Sequence, residues 1–276
     1  MNIDDYPQQE PFTKIGTLYH EKVTAMAGHV VGHELCYGDD PYQSLLIYPA
    51  QNPNGNVLCF MHGGGWTNGY KEWMSFMAPA LNRVGCTFVS VGYRLAPIHL
   101  YPAGFDDCCA AIAQVYRRIA EFGGDPNRIF VGGHSAGGHY ASLLGLCLGW
   151  GTKESLPENI IKGVLPVSGT FEFGENSGLS MRPRFLGGEQ LGNDSTASPI
   201  NYIRAGAPPF LISYGENDFP HLIRQAERFT DTLRLQGVSV TTQQLDDCDH
   251  LGASYACGEI DGTWVKAAED FMEKVS

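Results

Sequence analysis

The sequence predicts an α/β protein with a mostly parallel central sheet and helices on both faces. Two observations predict it. Short apolar runs alternate with stretches whose apolar residues recur every three or four positions. One strand-to-helix junction also carries Gly133-His134-Ser135-Ala136-Gly137, a G-x-S-x-G pattern. Alternation of this kind builds βαβ units, whose strands are covered on both faces and read as continuous hydrophobic segments. The 276-residue chain is 43% hydrophobic and 17% charged, ordinary values for a globular protein. Its length suits one large core, so residues 1–276 are read as a single domain.

Residues 1–28 form an N-terminal arm, with Pro7 and Pro11 ahead of a mildly helical stretch at 18–27. Residues 29–37 and 44–48 flank Gly38-Asp39-Asp40-Pro41, a turn cluster that predicts an antiparallel hairpin. Strands then follow at 57–61, 86–91, 129–131, 161–167, 209–214 and 238–245. Between and after them, Trp73, Met77, Ala80 or Leu81, and Val84 predict a helix face, as do Cys108, Ile112, Val115 and Ile119. So do Leu222, Ala226, Phe229 and Leu233, and finally Trp264, Ala268, Phe271 and Val275. Residues 140–148 continue as a helix behind Ser135. One stretch breaks the rhythm: residues 169–208 are rich in Gly, Ser, Asn and Pro and too long for an ordinary connection, so they are read as a lid or a surface insertion.

The formal net charge of -12 argues against nucleic acid and anionic membranes as partners. Met1-Asn2-Ile3-Asp4-Asp5-Tyr6-Pro7 has neither the basic nor the apolar region of a signal peptide, and no apolar run is long enough to span a bilayer. The eight cysteines lack C-x-x-C pairs and interleaved His spacing, so they read as reduced core thiols of a cytoplasmic protein. No metal ligand set and no organic cofactor is implied. The expected partner is a small-molecule ester or amide, and a homodimer stays open.

A serine hydroxyl is a poor nucleophile near neutral pH, so the elbow at Ser135 requires a base, an orienting acid and oxyanion donors. On an α/β sheet these come in the order Ser, Asp or Glu, His, from loops after late strands. Tyr214-Gly215-Glu216-Asn217-Asp218 directly follows one apolar strand, and Cys248-Asp249-His250 follows the next, so Asp218 and His250 are the candidates. Glu216 and Asp249 are the rival acids, although Asp249 sits too close to His250 in sequence to converge on its ring with ease. The strand at 57–61 runs into His62-Gly63-Gly64-Gly65-Trp66, whose bare backbone N–H groups suit an oxyanion hole. Gly64, Gly65 and Ala136 are the expected donors, with Gly63 second to them; His62 is read as holding the loop. Trp66 and Tyr70 are expected to line the substrate pocket, with Phe171 and Phe173 as further aromatic candidates.

With these residues in place the chain resembles the α/β-hydrolases of the hormone-sensitive-lipase-like and kynurenine-formamidase-like group. The resemblance runs from about Tyr37 to the end. It rests on His62-Gly63-Gly64-Gly65-Trp66, Tyr93-Arg94-Leu95-Ala96-Pro97, Asp125-Pro126-Asn127-Arg128-Ile129, residues 133–139, Ser198-Pro199, and the Asp218 and His250 loops. It implies an α/β-hydrolase fold with a small insertion near the active site, and a serine carboxylesterase cleaving small short-acyl esters through an acyl-enzyme. Gly-His-Ser-Ala-Gly-Gly-His is closer to the formamidase-like branch, which makes an arylformamidase the alternative. Gly65 stands where formamidases often carry an aromatic residue, and that favours the ester. A binding protein that has lost catalysis is a third class, and such relatives typically lack a triad residue.

Overall fold

The computed structural model describes residues 3–174, 177, 179 and 182–275. Positions 1 and 2 of the expected arm, 175, 176, 178, 180 and 181 of the expected insertion, and the C-terminal residue 276 lie outside that range. After a 3-10 turn at Ile3–Asp5 come helix α1 (Lys14–Ala27) and the expected hairpin, β1 (His33–Cys36) against β2 (Ser44–Tyr48). Next come β3 (Gly55–Met61), a 3-10 turn (Lys71–Met77), α2 (Ala78–Arg83), β4 (Thr87–Val91) and α3 (Ala103–Arg118). β5 (Gly124–His134) leads into α4 (Ala136–Leu146), followed by β6 (Ile161–Val167). Among the described residues the 169–208 stretch holds two short α-helices, α5 (Arg182–Leu186) and α6 (Asn193–Ala197), and two 3-10 turns, Glu189–Leu191 and Pro199–Tyr202. β7 (Phe210–Gly215), α7 (Pro220–Leu235), β8 (Val240–Leu245), α8 (His250–Ala256) and α9 (Thr263–Lys274) complete it.

The strands form one eight-stranded sheet in the order β1-β2-β4-β3-β5-β6-β7-β8. The first two pairings are antiparallel, and the pairings from β4 to β8 are all parallel. β3 and β5 lie side by side at the centre, which explains the apolar runs at 57–61 of β3 and 129–131 of β5. Val57, Cys59 and Met61 face the core beneath α3 and α4, while Leu58 and Phe60 face the opposite core beneath α2, α9 and the 3-10 turn. Ligands of open parallel sheets bind beyond the carboxyl ends of the strands, and β3, β5, β7 and β8 all end on that side.

Two expectations need correction here. The spacing from Trp73 to Val84 predicts one helix, whereas Lys71–Met77 forms a 3-10 turn ahead of α2. The cysteines are not uniformly core thiols: Cys59, Cys86, Cys108 and Cys257 are buried, but Cys36 is exposed on an edge strand and Cys109, Cys147 and Cys248 are half-buried. Among the described residues no helix is long and apolar enough to cross a membrane.

Candidate active site

Ser135 sits between β5 and α4 with φ 55° and ψ -115°, a conformation that a non-glycine residue holds only when its surroundings enforce it. The enforcement is steric. A Cβ on Gly133 would lie 2.2 Å from the carbonyl carbon of Gly137, and one on Gly137 would lie 2.0 Å from the Met61 carbonyl oxygen. Only glycine lets β5, α4 and the end of β3 approach this closely. The Ser135 N–H donates to the Val167 carbonyl at 2.9 Å, which ties the elbow to the neighbouring strand.

The loops after β7 and β8 bring the acid and the imidazole to this serine. Asn217 N–H donates to the Cys248 carbonyl at 2.8 Å, and Asp247 N–H donates to Glu216 Oε2 at 3.0 Å. Ser135 Oγ lies 3.0 Å from His250 Nε2, and His250 Nδ1 lies 2.9 Å from Asp218 Oδ1. With the proton on Nδ1, the ring donates to Asp218 and its Nε2 accepts from the serine. His250 is not in a loop, as the sequence suggested. It is the first residue of α8, whose N-cap is Asp249, with the Asp249 carboxylate accepting the Gly252 N–H at 2.7 Å. Both rival acids are thus engaged elsewhere, Asp249 as a cap and Glu216 with the loop after β8.

Asp218 is buried, which alone would raise its pKa. The hydrogen bond and charge of His250, the nearby Ser168 hydroxyl and the Phe219 N–H outweigh burial and hold it below the ordinary carboxylate value. The Phe219 N–H donates to Oδ1 at 2.7 Å. The Ser168 hydroxyl lies beside the carboxylate without closing to a full hydrogen bond.

Facing the serine, the loop after β3 turns through Gly64 at φ 112° and Gly65 at φ 61°. Among the described residues none accepts a hydrogen bond from the N–H of Gly64, Gly65 or Ala136. The Ala136 group is at the first position of α4, where the helix dipole adds positive potential. His62 holds the loop as expected: its Nδ1 lies 2.6 Å from the Gly63 carbonyl, and its ring stacks on Tyr93 with centroids 4.2 Å apart.

A cavity of about 320 Å³ opens over Ser135 and His250. Its walls correct the expected substrate-binding residues. Trp66 does not border it: the residue has φ 63°, is 3% exposed, stacks on Phe185 of α5 at 4.4 Å and donates its indole N–H to His139 Nδ1. Tyr70 packs against Tyr6 and Trp73 instead of reaching the cavity. Phe171 stacks on Phe229, and Phe173 packs on Trp66 and His139. The apolar walls are Phe12, Ile15 and Tyr19 from the arm and α1, Trp73 from the 3-10 turn, and Leu251 from α8. Thr67 and Asn68 add polar groups, and an ion pair between Glu10 and Arg184 at 2.6 Å joins the arm to α5 beside the cavity.

The sequence reading missed the arm's part in the site. Tyr19 is buried, bonds to Ser254 of α8 at 2.8 Å and stacks near His134. His134 in turn donates from Nε2 to the backbone carbonyl of His250 at 2.8 Å. The arm therefore packs on the same short helix that carries the imidazole. Among the described residues no cluster of His, Cys, Asp or Glu is arranged to hold a metal ion.

A strained serine, an imidazole and a carboxylate in line at the carboxyl ends of a parallel sheet place this structure among the α/β proteins built around a serine elbow. The chain belongs to the α/β-hydrolase fold family, which its residues 58–253 match. It is similar to Esterase LipC of Mycobacterium tuberculosis (strain ATCC 25618 / H37Rv), 30% identical over 266 residues covering 90% of this chain and 63% of that protein. It is also similar to a probable isoprenylcysteine alpha-carbonyl methylesterase, ICMEL1, of Arabidopsis thaliana, at 28% identity over 75% of this chain and 48% of the relative. The chain thus spans less than two thirds of the length of these relatives. In three dimensions it matches the hyperthermophilic esterase from the archaeon Pyrobaculum calidifontis with a TM-score of 0.78, covering 95% of this chain and 93% of that one at 20% identity.

Proposed function

We propose that this protein is a carboxylic ester hydrolase that acts through an acyl-enzyme on small, short-acyl esters in the cytoplasm. The observation that carries the reading is the continuous contact from Ser135 Oγ through His250 to Asp218, at 3.0 Å and 2.9 Å. In this reading Ser135 Oγ attacks the ester carbonyl carbon while His250 Nε2 takes the hydroxyl proton. The N–H groups of Gly64, Gly65 and Ala136 bind the oxyanion. The carbon–oxygen bond to the alcohol then breaks as His250 returns its proton to the leaving oxygen. Water adds to the acyl-enzyme by the same route, its proton passing through His250 to Ser135, and the acid leaves. Asp218 keeps the imidazole oriented and stabilises its charged form.

The named relatives are esterases, which supports the ester over the formamide. A cavity of about 320 Å³ lies at the lower end of ligand-site volumes, which supports small substrates. The test is a panel of p-nitrophenyl acetate, butyrate and octanoate with N-formylkynurenine. Acetate and butyrate should have the highest kcat/KM. A value for N-formylkynurenine well above those for acetate and butyrate would overturn the reading.

A further inference from the structure

The inward stripe of α1 runs Phe12, Gly16, Tyr19, Val23, at helical spacing through the residue that precedes its cap. Tyr19 and Val23 are buried in the core, and Phe12 packs on Trp73. Gly16 occupies the one place in this stripe without a side chain, and it lines the cavity over Ser135 and His250. Glycine in a helix is unfavourable relative to alanine, so its presence calls for a reason.

Neither backbone conformation nor crowding supplies one. Gly16 is absent from the positive-φ residues of the chain and sits in regular helix. A Cβ built on it would meet Phe12 Cβ and Thr13 Oγ1 at 3.5 Å, ordinary van der Waals contact. The cap survives a substitution too, because Thr13 Oγ1 accepts from the backbone N–H of residue 16 at 3.1 Å. What remains is volume. A side chain at this position would start over Phe12 and Thr13, at the wall of the cavity that Gly16 shares with Tyr19, Trp73 and Ser135.

We propose that Gly16 is a specificity-determining residue: its missing side chain sets the size of the substrate group that the cavity admits. The proposal rests on the ester-hydrolase reading above and names the position that limits substrate size within it.

The test compares the full-length protein with Gly16→Ala and Gly16→Leu on two ester series. In one the acyl group grows, from p-nitrophenyl acetate through butyrate to octanoate. In the other the alcohol grows at constant acetyl, from ethyl through phenyl to 1-naphthyl acetate. Gly16→Leu should lower the large-to-small ratio of kcat/KM by about tenfold or more in at least one series, since a few methylenes lose their place. Gly16→Ala should move the ratio the same way by less, while raising Tm by about 1–3 °C because a helical glycine is removed. The series that responds identifies the group held against α1. Unchanged ratios in both series overturn the proposal, and so does a loss equal for large and small esters, which is the mark of a distorted fold. Should Gly16→Leu fail to fold, an unchanged ratio in Gly16→Ala overturns it alone. Normal wild-type turnover with unchanged ratios refutes only the role of Gly16. A wild-type protein that turns over no ester and takes no label at Ser135 refutes the ester-hydrolase reading and this proposal with it.

Discussion

Acidifying the solution from about pH 7.5 to about pH 5 should remove roughly 6 kcal/mol of stability through three buried histidines. His62, His134 and His139 have no room for a second proton. His139 Nδ1 accepts the Trp66 indole N–H at 3.2 Å, and its Nε2 donates to the Ala197 carbonyl at 2.6 Å. His62 donates from Nδ1, and its buried Nε2 has no partner to receive a new N–H. His134 donates from Nε2, and its Nδ1 is likewise buried and unpartnered. Burial pushes His62 down to about 4 and both His134 and His139 down to about 3, with the nearby His250 adding to the shift at His134.

In the unfolded chain these rings titrate near the ordinary value of about 6.5, so the unfolded state gains protons first as the pH falls. Stability from the three is complete above that value and is lost as the pH drops toward the folded values. At about pH 5 each contributes a loss of about 2 kcal/mol, large against a typical total of about 5–15 kcal/mol. Asp218 follows the same sign at lower pH: folding holds its pKa down too, but its contribution is lost only as the pH falls below the ordinary carboxylate value of about 3.9, outside this window. Relief of the -12 net charge works against the histidines, so a variant isolates them. Urea unfolding of wild type and His139→Gln at both pH values is the assay. Glutamine keeps one donor and one acceptor without the titration, so the acid loss should shrink by about 2 kcal/mol. An acid loss as large in His139→Gln as in wild type would refute the reasoning.

Asp218→Asn should lower kcat by roughly 10³- to 10⁴-fold, because the amide neither stabilises the imidazolium nor selects its tautomer. If Glu216→Gln or Asp249→Asn, measured on the same ester, is the more damaging change, the acid is misassigned. Tyr19→Phe leaves the Ser254 hydroxyl buried without its partner and should cost about 1–3 kcal/mol in urea unfolding, and a loss below about 0.5 kcal/mol would show that α1 does not depend on this bond.

The central strands were legible where coverage on both faces leaves short apolar runs, at 57–61 of β3 and 129–131 of β5, while the start of β5, with Asp125, Asn127 and Arg128, left no such signal. The serine elbow was legible because close packing of β3, β5 and α4 demands glycines at fixed spacing around Ser135. α8 escaped notice because it spans only His250–Ala256, although Asp249 is a residue type that favours the N-cap. Trp66 and Tyr70 were misplaced for a different reason. Nearness in sequence to the glycine loop does not fix side-chain direction, and the positive φ at Trp66 sends the indole toward α5. Helix α1 was visible in part, as a mildly helical stretch at 18–27, but its docking partners, Trp73 and Ser254, lie far away in sequence. Contacts of that range leave no local pattern to read.

The central claim is that Ser135 is the nucleophile, and covalent labelling tests it most directly. A fluorophosphonate probe with peptide mapping should modify Ser135 of the folded wild-type protein. Ser135→Ala should take no label and lose on the order of a millionfold in kcat with an unchanged unfolding transition. Label that persists in Ser135→Ala, or that maps to another serine, would contradict the account.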